Sequence, residues 1–340
     1  MKSKYSKIFL NILIIVLILF LIIFLSVKDN FNEVINRLGT FNIIWLLVSI
    51  ILMILYWIFK ALCLYETTKL VKPDIKFSKC LKIIIVTAFF NGITPFSSGG
   101  QPGQIYLITK EKIKVSTATN ISLQNFILYQ AVLVFLGLIA LIINNSLNLL
   151  TSNIILEKLI VIGFIANTSV LVILFILSFC KGINIKIINL WIRLLSKLKI
   201  IKNKEKTLER IEKTTHNFYE SAILLKDNKT IVVKGLVYNF LGLLFLYSIP
   251  LVVFYGLGDY INLSFVESVV TTAYTMIIGA FVPIPGGSGG LEYAFNELFL
   301  NFNTDIFVTS AMLVWRFITY YMPLIVGGIL LIVYKRGEKK

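Results

Sequence analysis

The sequence is poor in the residues that most often carry metal chemistry and nucleophilic catalysis. Its 340 residues include one histidine, His216, and three cysteines, Cys63, Cys80 and Cys180, with no close pair among them. No Cys/His zinc site can be built from that set, and a lone histidine offers no Ser/His/Asp or Cys/His arrangement. The glycine-rich stretches match neither GxxxxGK[ST] nor GxGxxG, so no nucleotide site is read and no cofactor or metal is expected. Charge is scarce as well, at 15% of residues against about 25% in soluble domains.

What fills the space is apolar. Hydrophobic residues make up 57% of the chain and the mean hydropathy is +0.86, which marks an integral membrane protein. A helix needs ~20 mostly apolar residues to cross a ~30 Å hydrocarbon core. Six runs qualify, at residues 8–27, 41–59, 121–143, 159–180, 235–258 and 306–334, the last interrupted only by Arg316. Two more fall short: 81–93 carries Lys82 and stops at Thr94-Pro95, and 263–282 carries Glu267 and stops at Pro283-Ile284-Pro285.

Charge sorts the connections. Lys2, Lys4 and Lys7 precede the first run, which lacks an Ala-x-Ala cleavage site and reads as an uncleaved anchor. Residues 28–40 and 144–158 are neutral, 60–82 sum to +4, and 181–230 carry twelve bases against five acids. Six spans, with the two short runs turning back, put every basic loop and both termini in the cytoplasm, whereas eight spans would put the most basic loop outside. The positive excess of +16 therefore marks one membrane face, and no nucleic-acid partner is needed to explain it. The expected fold is an all-α polytopic membrane protein with six spanning helices and two opposed re-entrant hairpins, about 83–109 and 263–302.

These two hairpins break alike. The first passes through Thr94-Pro95-Phe96-Ser97-Ser98-Gly99-Gly100-Gln101, the second through Pro283-Ile284-Pro285-Gly286-Gly287-Ser288-Gly289-Gly290. Entry from opposite sides makes this an inverted-repeat signal of the kind transporters use around a midplane site; the plainer reading is two loops at the membrane surface. Residues 181–230 read as basic amphipathic helices in the headgroup layer or as solvated connectors.

Irregular backbone at membrane depth must be buried in protein or line water, so facing breaks imply a cavity. Helices restarting after each break would point free N–H groups at an anion such as a lipid phosphate. The candidate substrate-binding residues are Asn91, Thr94, Pro95, Gly99, Gly100, Gln101 and Gln104 in the first hairpin. Pro283, Pro285, Gly286, Gly287, Gly289, Gly290 and Glu292 join them from the second, with Arg316 and Tyr320 from the last span. Glu292 and Arg316 stand in apolar surroundings and have two readings: an ion pair that orders the bundle, or a pair of contacts to the phosphate and the positive group of one headgroup.

The 94–104 run, the 283–292 loop with its trailing helix, and Trp315-Arg316 followed by Tyr320-Tyr321-Met322-Pro323 resemble the lysylphosphatidylglycerol synthase transmembrane (flippase-like) family. That family includes the N-terminal membrane half of the bacterial multiple peptide resistance factor. The resemblance covers nearly the whole chain and implies one integral membrane domain, residues 1–340, in the bacterial plasma membrane. It would move phospholipids such as lysyl-phosphatidylglycerol between leaflets and so contribute to resistance to cationic antimicrobial peptides. The sequence ends six residues after the last span, so the family's C-terminal synthase domain is not expected. Gln104 departs from the acidic residue many members carry there. Alternatives are phosphatidylglycerol lysyltransferase activity, a membrane partner for a separately encoded synthase, and translocation of polyprenyl-phosphate-linked sugars. A homo-oligomer is left open.

Overall fold

A computed structural model describes residues 30–147, 154–179, 209, 223, 227–280 and 282–337. The expected first span at 8–27, the N-terminal lysines before it, nearly all of the basic segment 181–230, and Lys339 and Lys340 lie outside the described residues.

Among the described residues the chain is helical throughout. A short helix α1 (Phe31–Gly39) leads into α2 (Ile43–Lys69), α3 (Phe77–Gly92), α4 (Gly100–Lys110), α5 (Val115–Leu147) and α6 (Ile154–Phe179). After the basic segment come α7 (Lys229–Tyr247), α8 (Ile249–Gly256), α9 (Phe265–Gly279), α10 (Gly290–Phe299), α11 (Asp305–Arg316) and α12 (Met322–Gly337). Five stretches are long and apolar enough to cross a membrane: α2, α5, α6, α7 with α8, and α11 with α12. These correspond to five of the six expected spans. Several run further than the uncharged stretches did, α2 by ten residues beyond position 59, because a helix does not end where its first lysine appears.

The two short runs do turn back. At ~1.5 Å per residue, the 16 residues of α3 and 15 of α9 rise only ~24 and ~22 Å, short of a ~30 Å core. Each is followed by a shorter antiparallel helix, α4 or α10, packed against it. The first hairpin starts from the basic end of the bundle, where Lys79 pairs with Glu111 at 3.0 Å and Lys234 with Glu66 at 3.3 Å. The second starts from the opposite end, where Asn303 donates to Asp259 at 2.7 Å and the Asn42 N–H to the Gly256 carbonyl at 2.9 Å. Their turns, Pro95–Ser97 and Pro285–Gly287, pack on each other inside the bundle.

The turns share one register, Pro-x-x-Ser-Gly-Gly. After each proline two residues take left-handed backbone: Phe96 and Ser97 at φ 53° and 52°, Gly286 and Gly287 at φ 67° and 64°. Glycine relieves the strain in the second turn. The first holds it with L-residues, at ~1–2 kcal/mol each.

Helix breaks elsewhere are repaired by neighbours. Pro250 interrupts the passage from α7 to α8, and the Ser268 hydroxyl of α9 enters the gap. It accepts from the Leu251 N–H at 3.2 Å and lies 3.0 Å from the Tyr247 carbonyl, to which it donates. The hydroxyl thus bridges the two groups that would have bonded directly in an unbroken helix. Close packing of α12 on α3 depends on Gly327, where a Cβ would stand 2.7 Å from the Ile85 carbonyl oxygen. Apolar side chains left outside form stripes, such as Ile43, Leu47, Ile51 and Ile54 on α2 and Ile325, Ile329 and Ile332 on α12. These are the faces offered to acyl chains.

Ser268 is fully buried, so Ser268→Ala strands the Leu251 N–H, while the Tyr247 carbonyl keeps the Thr272 hydroxyl at 3.2 Å; the expected loss is ~1–3 kcal/mol in unfolding free energy measured in detergent micelles. Asp259, in the loop after α8, is opposed by partial burial, but N–H donors from Asn262, Ile261 and Asn303 outweigh it and hold the carboxyl below its usual range. A depressed folded pKa contributes stability that is complete above the ordinary carboxylate pKa of about 4 and lost as pH falls through the folded value. The Tm of Asp259→Asn should accordingly lie below wild type at neutral pH and converge with it in strong acid.

Candidate functional site

Where the two turns meet, the last span supplies the charge. Immediately after Arg316 the helix widens into a π-turn, Phe317–Tyr321, before resuming as α12. Such single-turn π segments often occur at functional sites. Here Arg316 and Tyr320 are both buried, and the Tyr320 ring stands 4.7 Å from the guanidinium carbon of Arg316. The Tyr320 hydroxyl donates to the Gly92 carbonyl at 3.0 Å, at the end of α3, while its ring fills the space a Cβ at Gly286 would need. One tyrosine therefore touches both hairpins.

Arg316 is held by the second hairpin. Its Nε donates to Glu292 Oε1 at 2.7 Å, and Nη2 lies 2.7 Å from the same oxygen. Nη2 also donates to the Gly286 carbonyl at 3.1 Å and to Ser288 Oγ at 3.2 Å. The other carboxylate oxygen of Glu292 accepts the Gly289 N–H at 2.7 Å, capping α10 from within. Both side chains are about 5% exposed, so two unit charges neutralise each other out of water. The ion-pair reading is thus what the geometry contains, and it uses the N-terminus that was expected to face an anion. Replacement of either partner alone would strand the other charge.

In the first hairpin the corresponding cap is neutral. Thr94 Oγ1 accepts the Gly99 N–H and donates to the Phe90 carbonyl, both at 2.8 Å. Asn91 lies against Gly100, where a Cβ would clash with its amide. Gln101 and Gln104 turn away from the charges toward α5, with Oε1 of each 2.7 Å from Ser122 Oγ. A hydroxyl has one proton, so one of these amides must present its NH₂ there instead. The exposed segment is the tip: Pro95, Phe96, Ser97 and Ser98 are open while Ser288 and Gly287 are buried.

The structure therefore gathers Gly286, Gly289, Glu292, Arg316 and Tyr320 into one cluster, adding Ser288 and the Gly92 carbonyl. Gly287 and Gly290 shape its turn, with Pro285 leading in and Pro283 exposed ahead of it. Asn91, Thr94, Pro95, Gly99 and Gly100 form the facing turn, whereas Gln101 and Gln104 share no hydrogen bond with the charged pair. Sequence reasoning missed Lys60. The span was closed at the last uncharged residue, yet Lys60 lies inside α2 nine residues before its end, against Tyr129 and Asn239. The apolar run Ala61-Leu62-Cys63-Leu64 that follows it was the available signal. Trp315 stacks on Phe295, with centroids 4.8 Å apart, and serves packing. Among the described residues no cluster of His, Cys, Asp and Glu could hold a metal ion.

A family model described as the lysylphosphatidylglycerol synthase TM region matches residues 8–327. A UPF0104 membrane protein of Archaeoglobus fulgidus is 27% identical over 301 residues, which is 85% of this chain and 86% of that protein.

Removing one member of a buried ion pair costs ~3–5 kcal/mol, whereas removing both can be neutral. Arg316→Met and Glu292→Gln should each lower unfolding stability by about that amount. The double variant should lose clearly less than their sum, read by denaturant unfolding in micelles.

Proposed function

The chain belongs to the lysylphosphatidylglycerol synthase transmembrane family, and from that premise we propose that this multi-pass membrane protein translocates phospholipids between leaflets. The observation that carries the reading is the meeting of two opposed, broken hairpins inside the bundle, with the first tip exposed. Backbone of that kind is stable at membrane depth only against protein or water, so the exposed tip lines a wet path for a headgroup. Acyl chains stay outside, along the apolar stripes of α2 and α12.

The Glu292 and Arg316 pair suits a headgroup that carries both signs. An incoming phosphate replaces the carboxylate at Arg316 while an ammonium takes up Glu292, so one buried ion pair becomes two with no change in net charge. Lysyl-phosphatidylglycerol supplies both signs, its second ammonium adding one positive charge. A simple anion would instead leave Glu292 uncompensated. Placing the basic end in the cytoplasm follows the positive-inside tendency, and in a bacterial plasma membrane export of such a lipid would make the outer surface less negative and weaken the binding of cationic peptides.

Reconstitution into liposomes with headgroup-labelled lipids tests the reading. Leaflet exchange of lysyl-phosphatidylglycerol is expected, and slower exchange in the Arg316→Met/Glu292→Gln double variant, which should keep the fold. Absence of exchange for every aminoacylated and polyprenyl-phosphate lipid would sink the proposal; undiminished exchange in the double variant would remove the pair from the mechanism.

A further inference from the structure

A helix that faces acyl chains leaves hydrocarbon on its surface. The exposed side chains of α2 include Ile43, Leu47, Ile51 and Ile54, those of α5 include Phe135, Leu138 and Ile142, and those of α12 include Ile325, Ile329 and Ile332. The first hairpin departs from this pattern. On α4 the exposed positions are Pro102, Tyr106 and Lys110, which recur every fourth residue and so lie on one face, while Leu107 and Ile108 are buried. That face continues into the open tip, where Ser97 and Ser98 stand exposed beside Phe96.

The helix runs from the tip back to the basic end, and its 11 residues rise about 16 Å, roughly half of a ~30 Å core. The open face therefore covers the half of the membrane on the basic side. Side chains on a helix tilt toward its N-terminus, so Lys110 leans along the face toward the tip, with Nζ 5.1 Å from the centroid of the Tyr106 ring. Lys112 and Lys114 stand exposed at the mouth. No acid occurs between Asp74 and Glu111, and Glu111 is held by Lys79 at 3.0 Å. Positive charge thus sits at the mouth, a phenol in the middle and two hydroxyls at the tip.

We propose that this face of α4 is the track on which an anionic phospholipid enters from the basic-side leaflet. The phosphate engages Lys110, the headgroup advances past Tyr106 to Ser97 and Ser98, and the acyl chains trail in the surrounding hydrocarbon. The inference rests on the reading of the two meeting tips as a wet path and supplies its entrance. Charge complementarity selects the partner: a cationic headgroup without a phosphate would meet Lys110, Lys112 and Lys114 at the mouth and no acid on the face.

Cysteine labelling in liposomes tests both hydration and occupancy, because a thiol reacts with N-ethylmaleimide only where water lets it ionise. Wild type, whose Cys63 and Cys80 are buried, sets the background, and every substituted position is exposed. In phosphatidylcholine, Ser98→Cys and Tyr106→Cys should react about tenfold faster than Ile51→Cys on the apolar stripe of α2. With phosphatidylglycerol added, labelling of Tyr106→Cys should slow several-fold relative to Ser116→Cys at the same membrane end. Adding Lys110→Ser to Tyr106→Cys should remove that slowing. Equal rates for Tyr106→Cys and Ile51→Cys, no slowing by phosphatidylglycerol, or slowing that persists without Lys110 overturns the proposal. Labelling requires no lipid to cross: a hydrated, protected face in a chain that exchanges no lipid would keep the track and sink the translocation reading, and exchange by a chain with an unreactive face would do the reverse.

Discussion

In hydrocarbon a backbone N–H or C=O has no water to turn to, and the fold is arranged around the places where this chain breaks its helices regardless. At Pro250 the break is narrow, and one hydroxyl from α9 bridges it. At the two hairpin turns it is wide, and each turn caps itself: Thr94 takes the Gly99 N–H, and Glu292 takes the Gly289 N–H. Since α3, α4, α9 and α10 are all too short to cross, both turns end inside the bundle, where they meet. The difference between the caps then matters. A hydroxyl cap is neutral, but a carboxylate cap brings a charge inside, and Arg316 answers it.

That answer explains the last span. A guanidinium in the middle of an apolar helix would be a liability without Glu292, and a carboxylate at the second turn would be one without Arg316. The π-turn after Arg316 places Tyr320 beneath the guanidinium and against Gly92, so the same segment that settles the charge also clamps the first hairpin to the second. Lys60 is the contrasting case. It is set between a ring face and an amide oxygen, support that favours a cation without cancelling it. Among the described residues, then, Arg316 meets an acid and Lys60 meets neutral groups.

Much of this was legible beforehand. Opposed hairpins followed from two apolar runs too short to span and from the sidedness of lysine and arginine, and Glu292 and Arg316 were conspicuous because charge is rare in such a chain. What misled was the use of charge as a boundary. Closing a span at the first lysine placed Lys60 in a loop, although α2 continues for nine residues beyond it. The glutamines beside the first turn were read toward the site, but the helical phase of α4 directs them to Ser122 on α5.

The sequence by itself determined that the chain lives in a membrane, where its helices break, and which residues are too polar for their surroundings, because each of these is a local balance between side chain and solvent. Tertiary structure alone decided the partners. Whether Glu292 faces Arg316 or a ligand, whether a proline's gap is bridged, and whether a half-buried lysine meets a carboxylate or a ring and an amide all depend on residues far apart in the chain, 24 apart for the ion pair and 228 for Tyr320 with Gly92. Composition and periodicity carry no information about such distances; only the packing of helices against one another sets them.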